Sequence, residues 1–460
     1  MTRLPSLLLA VVLIGALAFH AYRAVHPTSA YQSADERSYG KLAINLADEQ
    51  HYGDPSTGLR DPLHWPPGAP VLFAVGHRVF PSADSLRTRD IPAAYWLQAV
   101  VSLGTVAVAF GLARALAGAW AGVVAAALTG FYPPLILATG EQLSEPLGAF
   151  LLTSAFLAFA LAARRRTKPL YAVAGLLLGL AVLTRADLLP VPFVVALIAA
   201  IWIWRRRGEW RRGGVVGGPL VAGTLLAIVP WSFYASRRAG EVVPVTRGGG
   251  SALFVGTYLP GHGTTVGMKR DLGDEAKRLN PKLRRTPDFD IPARSVLAVI
   301  AARHPELEFN KAVALEGRKN LVRYGLEDPI EFSGMMLNKV QRMWSRYARG
   351  GARHTSAVIR ASHILLVLAA LAGLIAGIAR RRSVLLGCIL AAVLTSTAVH
   401  MLVVSQARYN LPLMPALIAG GVAGWFLFAR GPQRRRPITR PAATSLETRE
   451  EALPSEPAPG

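Results

Sequence analysis

The sequence predicts an all-α polytopic membrane protein. The architecture expected is a bundle of about ten transmembrane helices, with amphipathic surface helices in the first outer loop and a small mixed extracytoplasmic segment. Three observations carry this. The 460-residue chain is 52% hydrophobic, with a mean hydropathy of +0.33. Its apolar runs repeatedly approach the roughly 20 residues needed to cross a bilayer. Clusters of arginine follow several of those runs, the pattern that orients membrane proteins. The formal charge of +23 would suggest nucleic acid in a soluble protein. No nucleic-acid motif accompanies it, and that class is excluded. Cys388 is the only cysteine, so neither an intrachain disulfide nor a cysteine-based metal site can form.

In order, the first span covers about Leu4–Ala24 with Arg3 ahead of it, read as a retained anchor although it also resembles a signal peptide. The first outer loop, 25–91, opens on Ser33-Ala-Asp-Glu36, a Ser-x-x-Glu helix start. Tyr39, Leu42, Ala43 and Leu46 follow at helical spacing, which predicts a short amphipathic helix on the membrane surface. His64-Trp-Pro-Pro-Gly-Ala-Pro70 cannot be a helix interior and predicts a rigid turn into a second surface segment, Val71–Phe80, with Trp65 as an interfacial anchor.

Spans two and three, Pro92–Ala117 and Ala119–Ala138, are joined by a tight turn, and Phe131-Tyr-Pro-Pro134 predicts a kink. Spans four to seven follow at Leu147–Ala163, Leu170–Leu183, Leu188–Trp204 and Val215–Tyr234. The polar stretch Ala235–Ser356 is too sparsely apolar to cross. It begins with glycine-rich, strand-like pieces at Thr246–Pro260 and continues as helices near Ile291–Ala302, Pro305–Tyr324 and Pro329–Tyr347. Spans eight to ten are about Val358–Ile378, Val384–Val404 and Leu413–Phe428.

The expected organisation is therefore spans one to seven in 1–235, an outer subdomain in 236–356, spans eight to ten in 357–430, and a disordered cytoplasmic tail in 431–460. With the amino terminus in the cytoplasm, the basic clusters at 164–168, 205–212, 380–382 and 430–436 all face the cytoplasm. The first loop, the Glu141/Glu145 corner, the Arg185 corner, the long loop and the Arg408 corner then share the opposite face.

An active site on that face has neither nucleotide sugars nor ATP, so an activated substrate there is lipid-carried. A polyprenyl-phosphate sugar requires a carboxylate to take the acceptor proton and cations to hold the departing phosphate. Asp35 is the first candidate base and Glu36 the second; both acids equally suit a helix start. Glu141 and Glu145 are candidates to orient the acceptor or bind a cation, while Glu145 also suits the opening of span four. Arg185 and Arg408 are candidate phosphate ligands, with Tyr409 beside the latter. Arg185 could alternatively pair with Asp187. Trp344, Arg342 and Arg346 read equally as an amphipathic helix returning to the bilayer, and His51, His64 and His400 as lone histidines. A divalent cation shared by Asp35, Glu36 and a distant acid is compatible with the residue types, but no spacing demands one.

Taken together, Asp35-Glu36 with Tyr39, Trp65-Pro-Pro-Gly-Ala-Pro70, Leu143-Ser-Glu-Pro-Leu147, Leu183-Thr-Arg185, Leu253–Pro260 and Arg408-Tyr-Asn-Leu-Pro-Leu-Met-Pro415 resemble, in order, the GT-C superfamily of integral-membrane glycosyltransferases. The likeness is to the branch of protein O-mannosyltransferases and lipid A aminoarabinose transferase, and covers about residues 5 to 430. Ala186-Asp187 departs from the residues more usual after that arginine. The resemblance implies that Asp35 is the catalytic base, with Glu36 beside it, and that a sugar moves with inversion from a polyprenyl-phosphate carrier. It implies a multi-pass plasma (inner) membrane enzyme with an extracytoplasmic site and an envelope glycan, lipid or protein as acceptor. The competing readings are a lipid-linked glycan polymerase or ligase and a non-catalytic flippase or partner. The span interiors are nearly free of charge, which argues against a flippase.

Overall fold

The computed structural model describes residues 3–430 apart from 28–32, 49–50, 53–58, 60, 83–84, 86–87, 89, 208–209, 346–356 and 382. The expected tail therefore lies outside the described residues, as does Arg346. Among the described residues the structure is helical, with no strand. Eight helices among the described residues are long and apolar enough to cross a membrane, or nine if one bent pair is a single span.

The chain begins with α1 (Arg3–Val25), apolar and largely exposed, as a helix facing lipid would be. It is followed by α2 (Ala34–Ala47) and α3 (Gly68–Val79), the two short helices expected in the first loop. Ser33 caps α2 through the predicted reciprocal box: its hydroxyl accepts from Glu36 N at 3.2 Å, and Glu36 Oε1 accepts from Ser33 N at 2.8 Å. Tyr39, Ala43 and Ile44 of α2 pack on Phe73 and Ala74 of α3. Pro70 lies in the first turn of α3, where a missing N–H is tolerated.

One residue, Gly118 at φ 94°, separates α4 (Pro92–Ala117) from α5 (Ala119–Gly130), which accounts for the tight turn. After α5 the chain bends by 54° into α6 (Pro133–Thr139), at the predicted proline kink. Then come α7 (Glu145–Arg165), α8 (Lys168–Thr184), α9 (Val191–Arg207) and α10 (Trp210–Ala239). The expected fifth span is α8, at 17 residues shorter than the others. The bundle closes with α16 (Ala357–Arg381), α17 (Val384–Leu402) and α18 (Met414–Ala429). Without a strong hydrophobic drive between helices in lipid, close backbone approach holds such bundles. Here a Cβ on Gly175 of α8 would fall 2.0 Å from Leu220 O of α10, and one on Gly424 of α18 would fall 1.9 Å from Gly373 O of α16.

Between α10 and α16 lie α11 (Gly249–Thr257), α12 (Thr265–Leu279), α13 (Ala293–Ala301), α14 (Phe309–Glu327) and α15 (Pro329–Ser345). The first four of these share a small core of their own, with Phe254, Met268, Val296, Ile300 and Val313 buried in it. The strand-like reading of Thr246–Pro260 is corrected, because this stretch forms helix α11. Its glycines serve helix packing: a Cβ on Gly256 would meet Val403 C at 2.3 Å, and Gly250 lies against Asn310 O of α14. The segment is seated on the bundle by α15. Trp344 donates to Thr397 Oγ1 at 3.1 Å, Asn410 Nδ2 to Met343 O at 2.6 Å, and Ser405 Oγ to Lys339 O at 3.2 Å.

Candidate active site

Short turns carry the candidate residues. The amino-terminal turn of α2 presents Asp35, and the first turn of α7 presents Glu145. Arg185 occupies the break between α8 and the 3₁₀ turn Ala186–Leu188. Arg408 and Tyr409 lie in the 3₁₀ turn Ala407–Leu413, which Pro412 keeps from becoming an α-helix. Helix termini leave backbone and side chains free to converge, whereas helix interiors here are committed to packing.

The structure brings Asp35, Glu145, Arg185, Arg408 and Tyr409 together. Arg408 Nη2 forms an ion pair with Asp35 Oδ2, while its Nε lies 3.4 Å from Glu145 Oε1. The same Glu145 oxygen is 3.2 Å from Arg185 Nη1. Arg185 Nε continues to Asp187 Oδ1 at 3.1 Å, and Asp187 Oδ2 to His400 Nε2 at 3.1 Å. The Tyr409 ring lies under both guanidiniums, at 5.0 Å from Arg185 and 5.7 Å from Arg408.

Exposure separates the members. Glu145 and Arg185 side chains are 3% and 6% exposed, while that of Asp35 is 39% exposed. Among the acids of this cluster Asp35 is the most open to an incoming hydroxyl. Burial favours its neutral form, but the Arg408 guanidinium, a hydrogen bond from Trp65 and the proximity of His64 hold the carboxyl below its ordinary range. It is ionised near neutrality and able to accept a proton. Burial, in turn, holds the His64 imidazole below its usual range. Glu145 Oε2 is buried without a hydrogen-bond partner, an acceptor left over inside the site.

Glu36 takes a different position from its neighbour. It is 5% exposed, with Oε1 on Ser33 N and Oε2 accepting from Gln142 N at 3.3 Å. It ties α2 to the corner before α7. At that corner Glu141 accepts from Gln98 Nε2 through its backbone carbonyl, at 2.9 Å. These positions do not suit a cation shared by Asp35, Glu36 and a distant acid: the oxygens of Glu36 are occupied by backbone N–H groups, and a guanidinium sits on Asp35. No group of three or more His, Cys, Asp or Glu is placed to hold a metal among the described residues.

Sequence reasoning treated His400 as a lone histidine and Asp187 only as a local partner of Arg185. Both belong to the ion-pair chain. The signal available was the Arg-x-Asp spacing, which puts both charges at one helix break. Nothing near His400 in the sequence points to Asp187, 213 positions away. Trp65 is also turned toward the site: its carbonyl accepts from Tyr52 OH at 2.9 Å, and its side chain helps to hold the Asp35 carboxyl below its ordinary range.

Residues 65–234 match a family model described as dolichyl-phosphate-mannose-protein mannosyltransferase. Among curated proteins none matches by sequence. The fold is similar to that of the Archaeoglobus fulgidus oligosaccharyltransferase in the apo form, with a TM-score of 0.53 and 16% identity over 90% of this chain and 50% of that one. The oligosaccharyltransferase AglB from Archaeoglobus fulgidus in complex with an inhibitory peptide and a dolichol-phosphate aligns with a TM-score of 0.53 and 15% identity, again over 90% and 50%. ArnT from Cupriavidus metallidurans bound to undecaprenyl phosphate aligns at a TM-score of 0.41 and 18% identity, over 90% and 77%. The chain spans about half the length of the oligosaccharyltransferase. The family match covers less than half of the chain, and the likeness to the archaeal oligosaccharyltransferase is one of fold, that of a helical membrane bundle.

Proposed function

We propose that the protein transfers a sugar from a polyprenyl-phosphate carrier to an envelope acceptor, by a single inverting displacement with Asp35 as base. The observation that carries this is the partly exposed Asp35 carboxylate paired with Arg408, at one end of a buried chain of alternating charge. In the step proposed, the acceptor hydroxyl gives its proton to Asp35 as its oxygen attacks the anomeric carbon. The bond from that carbon to the phosphate oxygen breaks, and the polyprenyl phosphate departs with the electron pair. Attack opposite the leaving group inverts the centre. Arg408 and Arg185 stabilise the phosphate charge, and Tyr409 keeps both guanidiniums stacked.

In the resting structure Arg408 sits on Asp35 and weakens it as a base. A bound phosphate would compete for that guanidinium and free the carboxylate, so donor binding raises the basicity needed for the next step. Glu36 acts through α2, whose first turn it locks. Glu145 holds the two arginines at a common distance, and its free Oε2 offers an acceptor to a substrate hydroxyl. The family description and the dolichol-phosphate complex of the archaeal enzyme support a lipid-phosphate donor. The arginine clusters at the opposite helix ends support a plasma-membrane protein with this site on the extracytoplasmic face. The outer segment 236–356 is proposed as the acceptor-side subdomain.

The test uses membranes containing the wild type or Asp35→Asn, supplied with radiolabelled polyprenyl-phosphate sugars. Asn keeps the size and most of the helix-start character of Asp, so the fold should survive. A loss of about 10²–10⁴-fold in transfer is expected with normal protein levels. Full transfer by Asp35→Asn would remove the base assignment.

A further inference from the structure

The turn that brings Trp65 to the site is held from outside the first loop. Trp65 follows the 3₁₀ turn Pro62–His64. This stretch lies along α2. Tyr39 and Ala43 share a core with Phe73, against which Trp65 packs. Leu42 shares another with Tyr52 and Leu63, and Trp65 packs against that one too. Asp35, Tyr39 and Leu42 fall at i, i+4 and i+7 of α2, on one face of the helix. The turn therefore covers the helix face that carries Asp35, and His64 and Trp65 both act on its carboxyl.

The support comes from the segment after α10, residues 243–248. Its backbone is pinned to α10: Val243 N donates to Ser236 Oγ at 2.9 Å, and Trp231 Nε1 to Val245 O at 2.7 Å. Arg247 then meets the turn twice. Its backbone N donates to Leu63 O at 3.0 Å, and its Nη1 lies 3.8 Å from Asp61 Oδ1. The other guanidinium nitrogens reach Glu241 at 2.8 Å and Glu308, at the cap of α14, at 3.1 Å. The Asp61 side chain is 6% exposed, and a carboxylate so buried needs partners. Asn310 Nδ2 of α14 supplies the second, at 3.2 Å. One arginine thus joins the first loop, the corner after α10 and the outer segment.

Gly248 comes next and lies against the His64 ring. A Cβ there would fall 2.7 Å from His64 Cε1, 2.9 Å from Nδ1 and 3.0 Å from Nε2. The nearest atoms all belong to that ring, so a side chain at 248 displaces the imidazole before anything else. In the reaction proposed above, a donor phosphate draws Arg408 away from Asp35. The carboxylate then depends on the turn at 64–65 for its place.

We propose that Arg247 and Gly248 are positioning residues for the transfer: they fix His64 and Trp65 against the face of α2 that carries Asp35, so that the segment after α10 holds the base in place. This rests on the transfer reaction proposed above and adds to it residues from a separate part of the chain.

The test is the kinetics of transfer by purified full-length protein in detergent. Gly248→Ala should lower kcat per folded enzyme by about 10–10²-fold, the effect of a small misplacement at the reacting groups. KM for the donor should stay unchanged, because Arg185 and Arg408 are untouched. Gly249→Ala, with no atom within 4 Å of the added Cβ, should behave as the wild type. His64→Ala should also lose kcat, and adding Gly248→Ala to it should cost nothing further, since the clash is gone. Arg247→Gln should likewise lower kcat at an unchanged donor KM. Full kcat in the folded fraction of Gly248→Ala, or an equal loss on adding it to the wild type and to His64→Ala, would overturn the proposal. An active Asp35→Asn would reject the base assignment, whereas an Asp35-dependent enzyme indifferent to Gly248→Ala would reject only the present inference.

Discussion

Replacing Arg408 by Gln should move the acid limb of the activity profile upward. The two charges are in contact, which at an effective dielectric near 20 would amount to about 4 kcal/mol. That figure needs discounting, because the Asp35 side chain is 39% exposed and the Arg408 side chain 20%. Solvent screening brings the pair to about 1 kcal/mol, equivalent to about 0.5–1 pH unit. The sign follows from the direction of the shift. With Arg408 present, the Asp35 carboxyl lies below its ordinary range, so it stays ionised as the pH falls. Without Arg408, burial is left as the leading influence and favours the neutral acid. The variant should lose activity at a higher pH than the wild type. The pair also contributes stability above the unfolded pKa of Asp35 that is lost as pH falls through the lower folded value, and the variant lacks that contribution. The assay is kcat/KM for donor consumption between about pH 3.5 and 8, since this ratio reports groups of the free enzyme. The overall rate should also fall, by about 10²–10³-fold, through lost phosphate stabilisation. An acid limb that stays in place, or moves to lower pH, would refute the argument.

The other expectations concern architecture. Glu36→Ala removes the carboxylate that caps α2 and holds Gln142 N, and should cost about 1 kcal/mol; an unchanged Tm in detergent would deny the capping role. Gly175→Ala places a Cβ where Leu220 O stands, so α8 and α10 must separate, at about 1–3 kcal/mol. Gly214→Ala has open space and should leave Tm unchanged, so equal effects of the two substitutions would contradict the close-packing account.

Much of the fold was legible because membrane physics is one-dimensional to a first approximation. Apolar length, arginine asymmetry and proline position are local properties, and they located the long helices, the turn at Gly118 and the bend after Gly130. The capping box was legible for the same reason: Ser33 and Glu36 are three residues apart. The helix α11 was misread because glycine's local signal is a turn, while here it answers to the backbone of Val403 and Asn310, distant in sequence.

The sequence by itself determined that this is a polytopic membrane protein and which corners carry Asp35, Glu145, Arg185 and Arg408. Only the tertiary structure decided how those charges are shared: Glu145 between two arginines, His400 on Asp187, and Glu36 committed to backbone N–H groups beside an accessible Asp35. The physical reason is that adjacent residues in a helix point about 100° apart. Asp35 and Glu36 therefore meet different surroundings, which are set by elements more than a hundred residues away.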